Sequence, residues 1–195
     1  MQEGLLGAIL GILSTFAIAI WKEHIEAKAC LEAITTEINC LFDLCVETFD
    51  EVITDDNKFI LFDYPLGTDY FSIFNANTSK IGRIGNKLER KLIVAIYIAA
   101  KYFLDCIKTN NNCLDYCSNI DEKYVDKTSQ EYMLDVEFAQ KNLLHSKVNN
   151  LLPAYKKLKE LMGLYKELQK IKPLWLYFFK HPIAMIKLQK DINNY

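Results

Sequence analysis

The chain has little in it that bends. Only 7 glycines and 4 prolines occur among 195 residues. A sheet of short strands needs turn residues every few positions, so this scarcity argues against an all-β fold and for long helices with few connections. Histidine is also sparse: His24, His145 and His181 are far apart in sequence and none stands in a recognisable catalytic pattern. No Ser-His-Asp set, His-Glu-x-x-His motif or spaced carboxylate pair can be assembled. No catalytic residue and no cofactor is therefore expected, and the chain reads as a non-enzyme. With a net charge of −2, it has no general attraction for nucleic acid.

Charge is missing altogether from Gly4 to Trp21, an 18-residue run reading GLLGAILGILSTFAIAIW. A helix of that length just crosses a hydrocarbon core roughly 30 Å thick. Trp21 suits the headgroup level, and Lys22 can extend its ammonium to water along an apolar stem. Ala17-Ile18-Ala19 imitates a signal-peptidase site, but Met1-Gln2-Glu3 carries no basic residue, so an uncleaved transmembrane anchor is the expectation for residues 1–21. Lys22 and Lys28 follow the span and no Lys or Arg precedes it, which predicts a cell-membrane, single-pass protein with the bulk of the chain in the cytoplasm. Gly4, Gly7, Gly11 and Ser14 fall on one helix face. Such a face allows close approach of a second span, and a homo-oligomer is expected there.

The remainder, residues 22–195, is long enough for one domain with a substantial core. Its fold class is expected to be all-α, the anchor continuing into a long stalk helix (22–54) packed in an antiparallel bundle. Along that stalk Ile25, Leu31, Ile34, Ile38, Leu41, Cys45, Phe49 and Val52 recur at steps of three and four. The charge is split. From Cys30 to Ile60 eight carboxylates face Lys58 alone, a net of −7, whereas from Pro153 to Lys190 nine lysines face Glu160 and Glu167, a net of +7. Side-by-side acidic and basic helices explain this, and so does attraction of the basic end to anionic lipid.

Six cysteines would allow three disulfides in an oxidising compartment. They sit in apolar helical patterns of a segment expected in the cytoplasm, so they are read as free and buried. Cys113 and Cys117 share a helix face but lack a second ligand pair, and no metal site is expected.

The centre, residues 69–120, is the most distinctive part. Asp69–Asn77 predicts a short helix with Tyr70, Phe74 and Asn77 on one face, Ser79-Lys80 a turn, and Gly82 and Gly85 tight or positive-φ backbone. Asn86 should cap a helix from Lys87 to Ile107, after which Asn110-Asn111-Asn112 would fray or bend it. Ile81–Leu88 imitates the Gly-x-x-Gly loop of an RNA-binding domain, but the strands such a domain requires are missing. A phosphate loop is excluded for want of Gly-Lys-Ser/Thr.

Through Tyr70, Phe71, Phe74, Asn77, Ile81, Gly82, Ile93, Tyr97 and Lys101 this stretch resembles a family of uncharacterised small bacterial single-span membrane proteins with a cytosolic helical domain. The resemblance implies architecture and lends no activity. Tyr70, Phe74, Asn77, Lys80 and Gly82 form either a surface for an unknown protein partner or a structural turn.

Beyond it, Thr128-x-x-Glu131 predicts a capped helix to Asn150 with Tyr132, Val136, Ala139, Leu143 and Val148 inward, then a break and a helix from Pro153, together spanning residues 128–171. The tail, 173–195, joins Trp175, Phe178, Phe179 and Lys180 in a composition suited to a membrane interface, so membrane lipid is an expected contact. A membrane-anchored scaffold or adaptor is the functional expectation. The alternatives are a membrane-disrupting effector, such as a toxin or phage-defence component, that assembles through its span, and an enzyme whose site sequence does not reveal.

Overall fold

No Gly or Pro occurs from Ile12 to Thr54, and the apolar amino-terminal run and the amphipathic stretch after it form one helix. In a computed structural model, which describes residues 2–54, 69–84, 86–171 and 190–192, α1 runs Gln2–Thr54 over 53 residues, about 80 Å. It is followed by α2 (Ser72–Ile81), α3 (Lys87–Lys123), α4 (Gln130–His145), a π-helical turn (Ser146–Leu151) and α5 (Leu152–Ile171), with no strand among the described residues. The fold is an all-α bundle.

α1 has two different surroundings. Leu10, Leu13, Phe16, Ile18 and Ile20 are exposed, Phe16 to 65%. From Cys30 onward the stripe Ile34, Ile38, Leu41, Cys45 and Phe49 is buried. Ile25, expected to belong to that stripe, is exposed, because packing of the bundle against α1 begins one turn later. Cys40 is likewise exposed rather than buried, while Cys30, Cys45 and Cys106 are buried and all six cysteines are free.

Paired residues give the directions. Glu37 meets Ile73 and Glu26 meets Arg83, so α2 descends along α1. Glu37 also meets Tyr97, and Phe49 packs edge-on to Phe103 with ring centroids 5.3 Å apart, so α3 ascends beside α1. Thr35 meets Tyr165 and Asp50 meets Tyr155, so α5 descends. The acidic stalk and basic α5 therefore lie side by side, with Lys159 on Asp50 and Lys166 3.9 Å from Asp43. Ile34, Leu92, Ile93, Ile96, Tyr165 and Leu168 fill the core between them.

Four local expectations need correction. α2 starts at Ser72 and continues through Lys80; the turn falls at Gly82-Arg83, and Gly82 is right-handed (φ −57°, ψ −23°), so it does not use glycine's conformational freedom. Asn86 caps α3 as expected, its Oδ1 accepting from the Leu88 and Glu89 amides, but the helix continues past Ile107 to Lys123. Asn110 is buried, and packing against α4 overrides the weak helix propensity of the three asparagines. The cap of α4 is Ser129, whose Oγ accepts from the Tyr132 amide at 3.2 Å; the Thr128 hydroxyl donates to Asp126 instead.

Finally, no break follows α4. The π turn carries it directly into α5, spreading the carbonyls that Pro153, without an N–H, leaves unmatched. The wide turn also shifts the facing of side chains: Ser146, Lys147 and Leu151 are buried and Val148 is exposed.

Candidate functional site

The central motif is organised by a residue outside it. A helix leaves its first amides without intrahelical partners, and α2 supplies no side-chain cap and no acidic residue in its first turn. Glu37 of α1 performs both tasks. Its Oε1 accepts from the Ile73 amide at 2.8 Å and its Oε2 from the Phe74 amide at 2.9 Å, while the Tyr97 hydroxyl of α3 donates to the same Oε2. Glu37 is 8% exposed and Tyr97 1%. Hydrogen bonds to a charged group contribute about 1.5–3 kcal/mol each, and a carboxylate at the positive end of a helix is favoured further. Burial pushes the Tyr97 hydroxyl pKa well up, and the Glu37 hydrogen bond and charge add to the rise, so it stays a donor.

The far end of α2 is held in the complementary way. Arg90 Nη1 donates to the carbonyls of Gly82 at 2.9 Å and Ile84 at 2.6 Å, placing a cation at the helix's negative end. Phe74 stacks on Tyr97 with centroids 3.8 Å apart, Phe71 meets the same ring edge-on at 5.7 Å, and Lys101 lies 5.8 Å over Phe71. α2 is thus a strap fixed at both ends by side chains from its neighbours.

Of the motif's candidate residues, Tyr70 and Phe74 are half-buried against the core, and Asn77 returns its amide to the Ile73 carbonyl at 2.8 Å. Lys80 and Gly82 are exposed. The cavity beside Tyr70 and Phe71 holds about 20 Å³, too small for a substrate. The three donors on Glu37 fasten α1, α2 and α3 to one another. A second polar set does the same between α1, α3 and α5: Tyr165 bonds Thr35 at 2.7 Å, and Gln169 donates to buried Glu89 at 2.8 Å. Burial pushes the Tyr165 pKa up to about 12.

On the apolar amino-terminal part of α1, which is long and apolar enough to cross a membrane, Gly7 and Gly11 have open space where a Cβ would stand, and the hydroxyls of Ser14 and Thr15 both return to the Gly11 carbonyl. Gly4 lies in the first turn of α1. Trp21 and Lys22 are exposed. Trp175, Phe178, Phe179 and Lys180 lie outside the described residues. Among the described residues no group of three or more His, Cys, Asp or Glu side chains is placed to hold a metal.

Glu37 was detectable in sequence. It stands three residues after Ile34 and four before Leu41, on the stripe that becomes buried, and a carboxylate there requires donors. Glu89, three residues before Leu92, carries the same signal.

No protein family, curated protein or solved structure matches this chain.

Proposed function

We propose that the protein is a non-catalytic, membrane-anchored adaptor in which a single span carries a helical bundle and the bundle offers its outer end to a protein partner. The observation that supports the anchor most is the outer part of α1. It is long and apolar enough to cross a membrane, with a window of mean hydropathy 1.4 that is 0% buried. Leaving its large side chains in water would forfeit on the order of 10 kcal/mol, comparable to the stability of a whole domain. A bilayer removes that penalty.

The composition of the tail, with Trp175, Phe178 and Phe179 beside Lys180, also suits an interfacial role. The presenting surface is the hairpin of α3 beyond Asn110 and α4, where Met133, Leu134 and Phe138 are 57–59% exposed. Cytoplasmic orientation follows from Lys22 and Lys28.

Two experiments test this reading. Alkaline carbonate should leave the full chain in the membrane pellet, and added protease should cleave the bundle only from the cytoplasmic side. Leu134→Asp with Phe138→Asp should then abolish co-isolation of a specific partner while leaving the melting temperature within a degree or two. Release by carbonate, or unchanged partner binding in the double variant, contradicts the proposal.

Open space at Gly7 and Gly11 favours a second reading, assembly of spans into a membrane-disrupting effector. Depolarisation of expressing cells that disappears in Gly7→Ile with Gly11→Ile would support it over the adaptor.

A further inference from the structure

Where α1 leaves the anchor, its face and the α2–α3 turn enclose an open cleft of about 570 Å³, within the range of small-molecule sites. Ile20, Glu23, His24 and Lys28 line one wall, and Arg83 and Ile84 the other. Its location matters, and it rests on the anchor reading above. If Trp21 marks the edge of the hydrocarbon, Lys28 stands seven residues further along, about 10 Å up the helix. Arg83, fixed to Glu26 by an ion pair of 3.3 Å, stands at nearly the same height. The polar layer on each side of a bilayer is roughly 5–7 Å thick, so the mouth of the cleft at Ile20 lies at the hydrocarbon edge and the cations are anchored just beyond the headgroups, from where their long side chains reach back to phosphate level.

The charges are mixed in a specific way. Lys28 and Arg83 are each exposed by half or more at the side chain; Lys28 stands 3.8 Å from Glu32 and Arg83 3.3 Å from Glu26, and a phosphate would take the N–H donors that those two exposed pairs leave unused. Glu23 is the exposed carboxylate of the lining, because Glu89, which also borders the cleft, is buried and accepts from Gln169. An anion alone would leave Glu23 opposed to it. A headgroup with a phosphate and a primary ammonium complements both signs.

We propose that this cleft seats the headgroup of an ethanolamine phospholipid, its phosphate on Lys28 and Arg83, its ammonium on Glu23 and its upper acyl carbons against Ile20. The lipid would tie the lower rim of the bundle to the bilayer and set its tilt.

The test uses the full-length chain in nanodiscs of equal parts phosphatidylethanolamine and phosphatidylglycerol, with lipid retained through detergent exchange identified by native mass spectrometry. One phosphatidylethanolamine per chain is expected. Retention should fall at least about tenfold in Lys28→Glu with Arg83→Glu, which removes two charge-assisted contacts, and should persist in Lys108→Glu with Lys156→Glu, an equal charge change elsewhere. Glu23→Gln should erase the preference for ethanolamine over glycerol headgroups. Unaltered retention in the first variant, or no headgroup preference in the natural chain, overturns the proposal. Should the charge reversals fail to fold, Lys28→Gln with Arg83→Gln is read by the same criteria. Alkaline extraction separates the two levels: a chain released from membranes overturns the anchor reading and the cleft with it, whereas a chain that stays embedded without retained lipid overturns the cleft alone.

Discussion

The basal bundle and the outer hairpin are built from the same kind of helix and are stabilised very differently. In the base, α1, α2, α3 and α5 pack around buried aromatic rings: Tyr97, Phe103, Tyr155 and Tyr165 are each at most 1% exposed, and each of the three tyrosine hydroxyls has a partner. In the hairpin, α4 buries only Ala139 and Leu143 and exposes Met133, Leu134, Phe138 and Leu144. Its other fastenings are peripheral: Tyr124 and Lys123 bond Asp135, Tyr132 bonds Asp121, and the Tyr124 and Tyr132 rings meet edge-on at 5.7 Å. The base encloses most of its large apolar side chains, whereas the hairpin leaves several of its own exposed.

Substitutions can sharpen or break that comparison. The largest effect is expected at Glu37. Glu37→Ala would orphan two amides and the buried Tyr97 hydroxyl, costing about 3–5 kcal/mol, read as a loss of helicity in denaturant titration of the detergent-solubilised chain. A matched pair is nearly as telling. Phe103→Ala should cost about 3–5 kcal/mol, and Phe138→Ala, at the hairpin's exposed face, under about 0.5 kcal/mol. Equal costs would mean the hairpin is as well packed as the base.

Tyr97→Phe keeps the ring stack and removes one donor from Glu37, so a smaller loss of about 1–2 kcal/mol is expected. The smallest effect is on pH dependence. Hydrogen bonds from Lys159 and then Tyr155 hold the Asp50 carboxyl below its ordinary value. A depressed carboxyl stabilises the fold above the unfolded value of about 3.9 and loses that contribution as pH falls through the folded value. Asp50→Asn should therefore lower stability slightly at neutral pH, where the depressed carboxyl contributes, converge with the natural chain once pH falls below the folded value, and so flatten the acid limb of the stability curve.

Much of this architecture is legible in the residues. The uncharged run, the stripe from Ile34 to Phe49, and Asn86 as a cap are local patterns, and local patterns survive folding. Glu37 is harder to read because seven other carboxylates share its neighbourhood, and only the burial of its face distinguishes it. The π turn was not legible. One extra residue in a turn leaves no compositional trace, yet it reverses which of Lys147 and Val148 is buried. The motif from Tyr70 to Gly82 reads in sequence as either a partner surface or a structural turn; its amides and rings serve an acceptor and a ring supplied by other helices, which spacing within the motif does not reveal.

The comparison itself can be measured in one experiment, amide hydrogen exchange by mass spectrometry on the full chain in nanodiscs. The account predicts slow exchange at Ile73 and Phe74 and through Leu92–Cys106, and exchange at least about a hundredfold faster across Gln130–Leu144, since the latter opens without disturbing the base. Equal protection of the two regions, or fast exchange at the Glu37-capped amides, would contradict it.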